Sequence, residues 1–406
     1  MRKLVIAATV RGAFIVALAL CVALPLAAQE AKLFTAVSDH YRVSSETSQS
    51  QAEEISRRME ASLRMYNDLF HFDLSLLPAK LNVRVMRDMA SFNAYLTKVL
   101  SQTRTDFVFI AYSDPEKSEL LCFPKEEKAF SASLVHQGCI QFLKAFVANP
   151  PIWLREGSAS ALEAAPWDPK GSAYTPKPNY GGLEELKSIL WGESPQKLIP
   201  FSDFLMYTRE LAQAQANVFY PQAWGLVHFL LAAPEKAYNR MLWDAIGALD
   251  SKAGLDENSQ RVRNQAFSWV SEEKLRQDYE SFILAVRTAG ELLRDGVDAY
   301  GKGDFAKAEQ ALTRSLELEP QSGPAWYYLG LIAYSKKDSA KAEDLYMKAF
   351  QLGTNAALIN YAIGINAFAA GKLDAAAKYL KMARDADKAA YGDKVDALLK
   401  RIEAGR

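Results

Sequence analysis

The sequence predicts two successive architectures, an α+β domain of mixed sheet plus helices and then an all-α solenoid. Alternating and helical stretches succeed one another up to about residue 125, and helical spacing alone runs from about 126. From Ala289 a period of 34 residues begins and holds its register without a gap. At 406 residues there is room for two or three hydrophobic cores. Lys+Arg and Asp+Glu both number 48, so bulk charge supplies no attraction to nucleic acid or to an anionic membrane.

The first residues read as a leader rather than as part of the fold. Arg2, Lys3 and Arg11 precede an uncharged apolar run from Ala13 to Leu26, closed by Ala27 and Ala28. A basic start, a short apolar core and small residues at the end describe a secretory signal, expected over residues 1–28. The run is short for a bilayer span of roughly 20 residues. The expectation is therefore an exported protein, periplasmic or extracellular, with no integral membrane segment after signal removal. Only Cys122 and Cys139 then remain of three cysteines, and they read as two buried thiols rather than a disulfide scaffold.

A first domain is expected over residues 30–285, with a sheet-containing part over 30–125 and a helical part over 126–285. Tyr41 and Val43 share one face of a short strand within His40–Ser45. Ser50 and Glu53 have capping-box spacing ahead of a helix whose apolar side carries Ile55, Met59, Leu63, Tyr66 and Phe70. Leu81, Val83 and Val85 alternate with polar neighbours and Met86, as in a half-buried strand. Residues 89–100 read as helix, Phe107–Tyr112 as a fully buried strand and Glu119–Phe123 as an edge strand. A helix over about 130–147 follows, and Asn149-Pro150-Pro151 ends it and opens another holding Trp153, Glu156 and Glu163. The Pro/Gly-rich stretch 166–182 is long enough to line a cleft. Residues 183–285 read as all helical.

In the last third, Gly296, Gly330 and Gly364 stand 34 residues apart, as do Ala308, Ala342 and Ala376. Small residues at such positions let paired helices approach closely, and stacked pairs bury a core that one pair could not. With Trp326-x-x-Leu329-Gly330, this part resembles the tetratricopeptide repeat family. The resemblance implies three repeats within residues 286–406 (289–322, 323–356 and 357–390) plus an end helix. It also implies a concave groove lined by Leu293, Val297, Tyr300, Tyr327, Leu331, Tyr334, Tyr361, Ile365 and Phe368, into which an apolar peptide or protein helix would dock.

Residues 136–140 read His-Gln-Gly-Cys-Ile. Leu134-Val135-His136 enters a helix, and Pro151-x-Trp153-Leu154-x-Glu156-Gly157 follows it. With the strand–helix order before them and the aromatic segment Tyr220–Leu231 after, these residues resemble the peptidase MA-like, gluzincin-type metallopeptidases over roughly 35–285. The resemblance implies a zincin-like fold and matches His136 to the first zinc ligand and Glu156 to the third. Gln137 stands at the position of the general base and Ile140 at that of the second histidine ligand. An amide cannot take a proton from water near neutral pH, and isoleucine has no donor atom for a metal. The expectation is a pseudoenzyme with no catalytic residue, no metal and no cofactor, acting as a binding or scaffolding part of an envelope complex. The competing expectation is an active metallopeptidase whose zinc site is completed by another ligand, Glu163 among the candidates, or by a partner. Read for themselves, His136 is a hydrogen-bonded histidine on a packed helix and Glu156 a carboxylate near a helix N-terminus.

Overall fold

A computed structural model describes residues 33–404, so the expected leader lies outside the described residues. The chain opens with β1 (Phe34–Val37) and β2 (Tyr41–Ser45), an antiparallel pair. Helix α1 (Gln49–Phe70) follows, and β3 (Leu81–Val85) then pairs parallel to β2. Helix α2 (Met89–Leu100), β4 (Val108–Ile110) and β5 (Glu119–Cys122) complete the sheet. Its order is β1-β2-β3-β5-β4, with β5 parallel to β3 and β4 antiparallel to β5.

Two sequence expectations change here. Glu119–Phe123 is not the edge: β5 is interior, and the aromatic run folds back antiparallel outside it as the edge strand. Because one side of β4 has no strand neighbour, Val108 and Phe109 are only half-buried rather than fully buried. The cap of α1 also moves. Ser48, not Ser50, accepts a hydrogen bond from the backbone N–H of Gln51 and so satisfies one orphan donor of the first turn.

Helix α3 (Glu127–Phe146) packs on α1 and on the sheet, burying Leu134, Val135, Cys139, Ile140, Phe142 and Leu143. Two polar bonds fix its seat. The Tyr66 hydroxyl donates to the Val135 carbonyl at 2.8 Å, and the Gln141 amide donates to the Asn82 carbonyl at 2.9 Å. Gly138 is required there, because a Cβ would lie 2.7 Å from the Tyr66 hydroxyl oxygen. Cys122 and Cys139 are both buried and free.

After the break at Pro150 and Pro151, α4 (Ile152–Leu162) buries Trp153 and runs against a later helix. A short hairpin, β6 (Trp167–Asp168) and β7 (Ala173–Tyr174), occupies part of the expected cleft loop. Seven helices follow: α5 (Leu183–Trp191), α6 (Phe201–Phe204), α7 (Arg209–Ala214), α8 (Ala216–Ala232), α9 (Lys236–Gly247), α10 (Leu255–Ala266) and α11 (Glu272–Ala285). At Gly157 the backbones of α4 and α8 meet so closely that a Cβ would fall 2.3 Å from the Ala223 carbonyl oxygen. One continuous apolar core joins sheet, α1, α3, α4 and these helices.

The C-terminal part is a run of antiparallel helix pairs: α12 (Ala289–Gly301) with α13 (Phe305–Leu318), α14 (Gly323–Ser335) with α15 (Ser339–Gln351), and α16 (Ala356–Ala369) with α17 (Leu373–Ala386). A last helix, α18 (Lys388–Ala404), packs on α17. The glycines at 34-residue spacing sit where a partner side chain enters: a Cβ would lie 2.6 Å from Leu312 at Gly296, 2.5 Å from Tyr346 at Gly330 and 2.8 Å from Leu380 at Gly364. Among the described residues no helix is long and apolar enough to cross a membrane.

Candidate functional site

The turn from α3 to α4 and the loop before α5 bring His136, Glu156 and Glu163 together. Helix α3 projects His136 toward α4, whose middle carries Glu156 and whose C-terminal end carries Glu163. The Nδ1 of His136 lies 2.7 Å from Glu163 Oε2, and its Nε2 lies 3.5 Å from Glu156 Oε2. Both carboxylates are held in turn. Arg155 Nε donates to Glu156 Oε1 at 2.8 Å, and Asn179 Nδ2 donates to Glu163 Oε1 at 2.9 Å.

The electrostatics favour a charged trio. Burial opposes a charge on His136, but hydrogen bonds to Glu156 and then Glu163 outweigh it and raise the imidazole to about 9. Burial likewise opposes ionised Glu156, yet the His136 hydrogen bond and the Arg155 charge hold it down at about 2. At neutral pH the imidazole is therefore favoured as an imidazolium, with Nδ1 donating to Glu163 and Nε2 in a longer ion pair with Glu156. Glu156 is not at the start of α4, so a helix-dipole role for it is corrected: Arg155 and His136 stabilise its charge.

Gln137 has a different task. Its Oε1 accepts the backbone N–H of Phe109 at 3.1 Å and so caps the edge strand β4. Ile140, one turn along α3, is buried in the main apolar core. A catalytic zinc needs about three protein ligands and an open position. Here Ile140 has no donor atom and Gln137 Oε1 is spent on the backbone N–H of Phe109, so the turn of α3 after His136 offers no second ligand. The donor set does not suit that ion, and no group of three or more His, Cys, Asp or Glu among the described residues is placed to hold a metal.

His136, Gln137 and Glu163 open onto a cleft of about 820 Å³ whose other walls include Asn93, Arg104, Asp106, Lys125 and Ser133. Lys125 and Asp106 form an ion pair of 2.5 Å within it. The other histidines lie elsewhere. His40 bonds Glu60 at 2.9 Å, the His71 ring lies 5.0 Å from Trp243, and the His228 ring lies 5.3 Å from Trp224. Trp153 and Trp224 are core residues, 1% and 2% exposed. Asn179 and Arg155 were not singled out in the sequence. Asn179 sits in the loop expected to line a cleft, whereas an arginine preceding Glu156 carries no signal of its own.

The nine residues expected to line the repeat groove are all half-buried and all lie on α12, α14 and α16. Helix α18 packs on the last of them: the rings of Tyr361 and Tyr391 are 4.9 Å apart, and the Arg401 guanidinium lies 5.6 Å from the Phe368 ring.

A tetratricopeptide repeat family model matches residues 293–357, and this part of the chain is a tetratricopeptide repeat region. No curated protein matches the chain. Among solved structures, the first such domain of human RPAP3 is 19% identical, over 29% of this chain and 91% of that one, with a TM-score of 0.27. PcrH in complex with the chaperone binding region of PopD is 19% identical, over 33% of this chain and 95% of that one, with a TM-score of 0.27. The type III secretion translocator chaperone SycD of Yersinia enterocolitica is 14% identical, over 31% of this chain and 93% of that one, with a TM-score of 0.28.

Proposed function

We propose that this chain is a catalytically silent relative of the gluzincin-type, peptidase MA-like metallopeptidases, fused to a repeat solenoid. It acts as an exported protein-binding or scaffolding component of an envelope complex. The observation that carries this reading is the spent histidine. Both nitrogens of His136 are committed to carboxylates, 2.7 Å from Glu163 and 3.5 Å from Glu156. The convergence of His136 with Glu156 supports descent from a metal-binding helix pair, as does Gln137 beside the edge strand. An imidazolium between two carboxylates supplies the positive charge that a metal would have supplied, so the fold keeps its centre without the chemistry.

With no base at position 137 and no second ligand at 140, work shifts to the surface of the repeats. Their apolar, half-buried residues from Leu293 to Phe368 support docking of a peptide or protein segment. The basic start and apolar run at Ala13–Leu26 support export to the periplasm or beyond.

Two assays test the reading. Purified protein is incubated with casein and peptide substrates, with chelator and His136→Ala as controls; no cleavage above the controls is expected. Activity abolished by both controls would make the chain an active peptidase instead. Partner recovery is then compared with and without residues 286–406, and loss on truncation is expected. Undiminished recovery of the same partner would remove the groove from the account.

A further inference from the structure

Helices α14 and α16 contain no charged residue; indeed none occurs from Gln321 to Ser335 or from Gln351 to Gly371. The stretch of groove formed by α14 and α16 therefore presents no charge of its own, and charges enter only at its two ends, from Arg294 and Asp298 of α12 and from Arg401 beside the Phe368 ring. Its residues fall into three rows at 34-residue spacing: Leu293, Tyr327 and Tyr361; Val297, Leu331 and Ile365; Tyr300, Tyr334 and Phe368. Two rows, aromatic except at Leu293, thus flank an aliphatic floor. The hydroxyls of Tyr300, Tyr327, Tyr334 and Tyr361 have no hydrogen-bond partner among the described residues. Tyr300 and Tyr327 are also close enough to interact. Burial first, then Tyr328, Tyr391 and Tyr300, pushes Tyr327 up to about 12, so it stays a protonated donor at neutral pH.

Those donors discriminate between occupants. An α-helix has already satisfied its own backbone, so laying one in the groove would bury several hydroxyls without acceptors. A polyproline II strand has no internal hydrogen bonds and presents its carbonyls outward, while proline carries no N–H of its own to satisfy. The general spacings of packed helices and of that conformation agree as well. One turn of that conformation rises about 9 Å, three residues at roughly 3.1 Å each. Packed helices lie about 8–10 Å apart, so successive inner helices present a ring at about every third peptide residue. Resting on the protein-binding reading above, we infer that the groove takes an uncharged, proline-rich segment of a partner in extended polyproline II conformation. Its prolines lie against the tyrosine rings and its carbonyls accept from the hydroxyls.

The test uses the purified chain with two fluorescent, end-capped probes, nonaproline and a neutral Leu/Gln peptide of helical pattern, followed by anisotropy. Nonaproline is expected to bind, and Tyr327→Phe and Tyr334→Phe each to weaken it about fivefold with an unchanged circular dichroism spectrum. Nonaproline binding that neither substitution weakens would place it outside the groove and overturn the inference. Binding of the helical peptide alone, lost in Leu331→Asp, would overturn the extended occupant while leaving a protein-binding groove intact. Binding of neither probe also overturns the inference, and the truncation comparison above then decides separately whether the wider reading falls with it.

Discussion

His136 carries a proton because two carboxylates outweigh its burial, and that balance has a measurable pH signature. Its folded value of about 9 lies above the ordinary 6.5, so its contribution to stability is complete below 6.5 and lost as pH rises through 9. Glu156, held at about 2 against an ordinary 4.5, contributes above 4.5 and loses that contribution as pH falls through 2. Urea melts of the wild type and His136→Gln should therefore differ most between about pH 5 and 6.5 and converge toward pH 10. A difference that is constant across the range would mean the imidazole is neutral throughout. Histidine-labelled NMR should find one of the four imidazoles titrating near 9. Half of this centre was legible in the sequence: His136, Gln137, Ile140 and Glu156 stood out by their spacing. The acceptor Glu163 was a weaker candidate, and Asn179 and Arg155 were invisible because their roles depend on where two separate segments meet.

Among the elements, the repeat helices were the most legible, since a fixed period imposes the same small residue at each close approach. Gly330 shows the cost of breaking it: a Cβ there would lie 2.5 Å from the Tyr346 ring. Gly330→Ala should destabilise the repeats by about 1–3 kcal/mol through overpacking, read as a fall in the melting temperature. Gly301→Ala, where nothing lies within 4 Å of the added atom, is the control and should shift it little. The strands were less legible. Phe107–Tyr112 reads as a buried strand because it is apolar and aromatic, but strand order is a property of the assembled sheet. Only the fold reveals that β4 is the edge and that Gln137 caps its Phe109 N–H at 3.1 Å. The capping shift from Ser50 to Ser48 has the same character, because three serines within six residues, Ser45, Ser48 and Ser50, offer the backbone competing acceptors.

Across the whole molecule, the two architectures are joined by a buried ion pair. Lys187 of α5, its side chain 1% exposed, lies 2.8 Å from Glu291 in the first turn of α12. Glu291 also closes the capping box of that helix with Thr288, so one carboxylate serves both the seam and the start of the repeats. Lys187→Met should destabilise the seam, by less than the loss of a fully buried pair because Glu291 keeps Arg287 at 3.4 Å, and pairing it with Glu291→Gln should recover part of that loss. A double-variant loss equal to the sum of the two single losses would show that the pair does not couple the two parts. This seam was not legible in the sequence, since a lysine among acidic residues on a helix reads as solvated surface. The claim on which the rest depends is that the centre between α3 and α4 is complete without a metal. Calorimetric titration of the chelator-treated protein with zinc at neutral pH tests it most directly. The account expects no binding beyond that of His136→Ala, whereas stoichiometric binding that His136→Ala abolishes would contradict it.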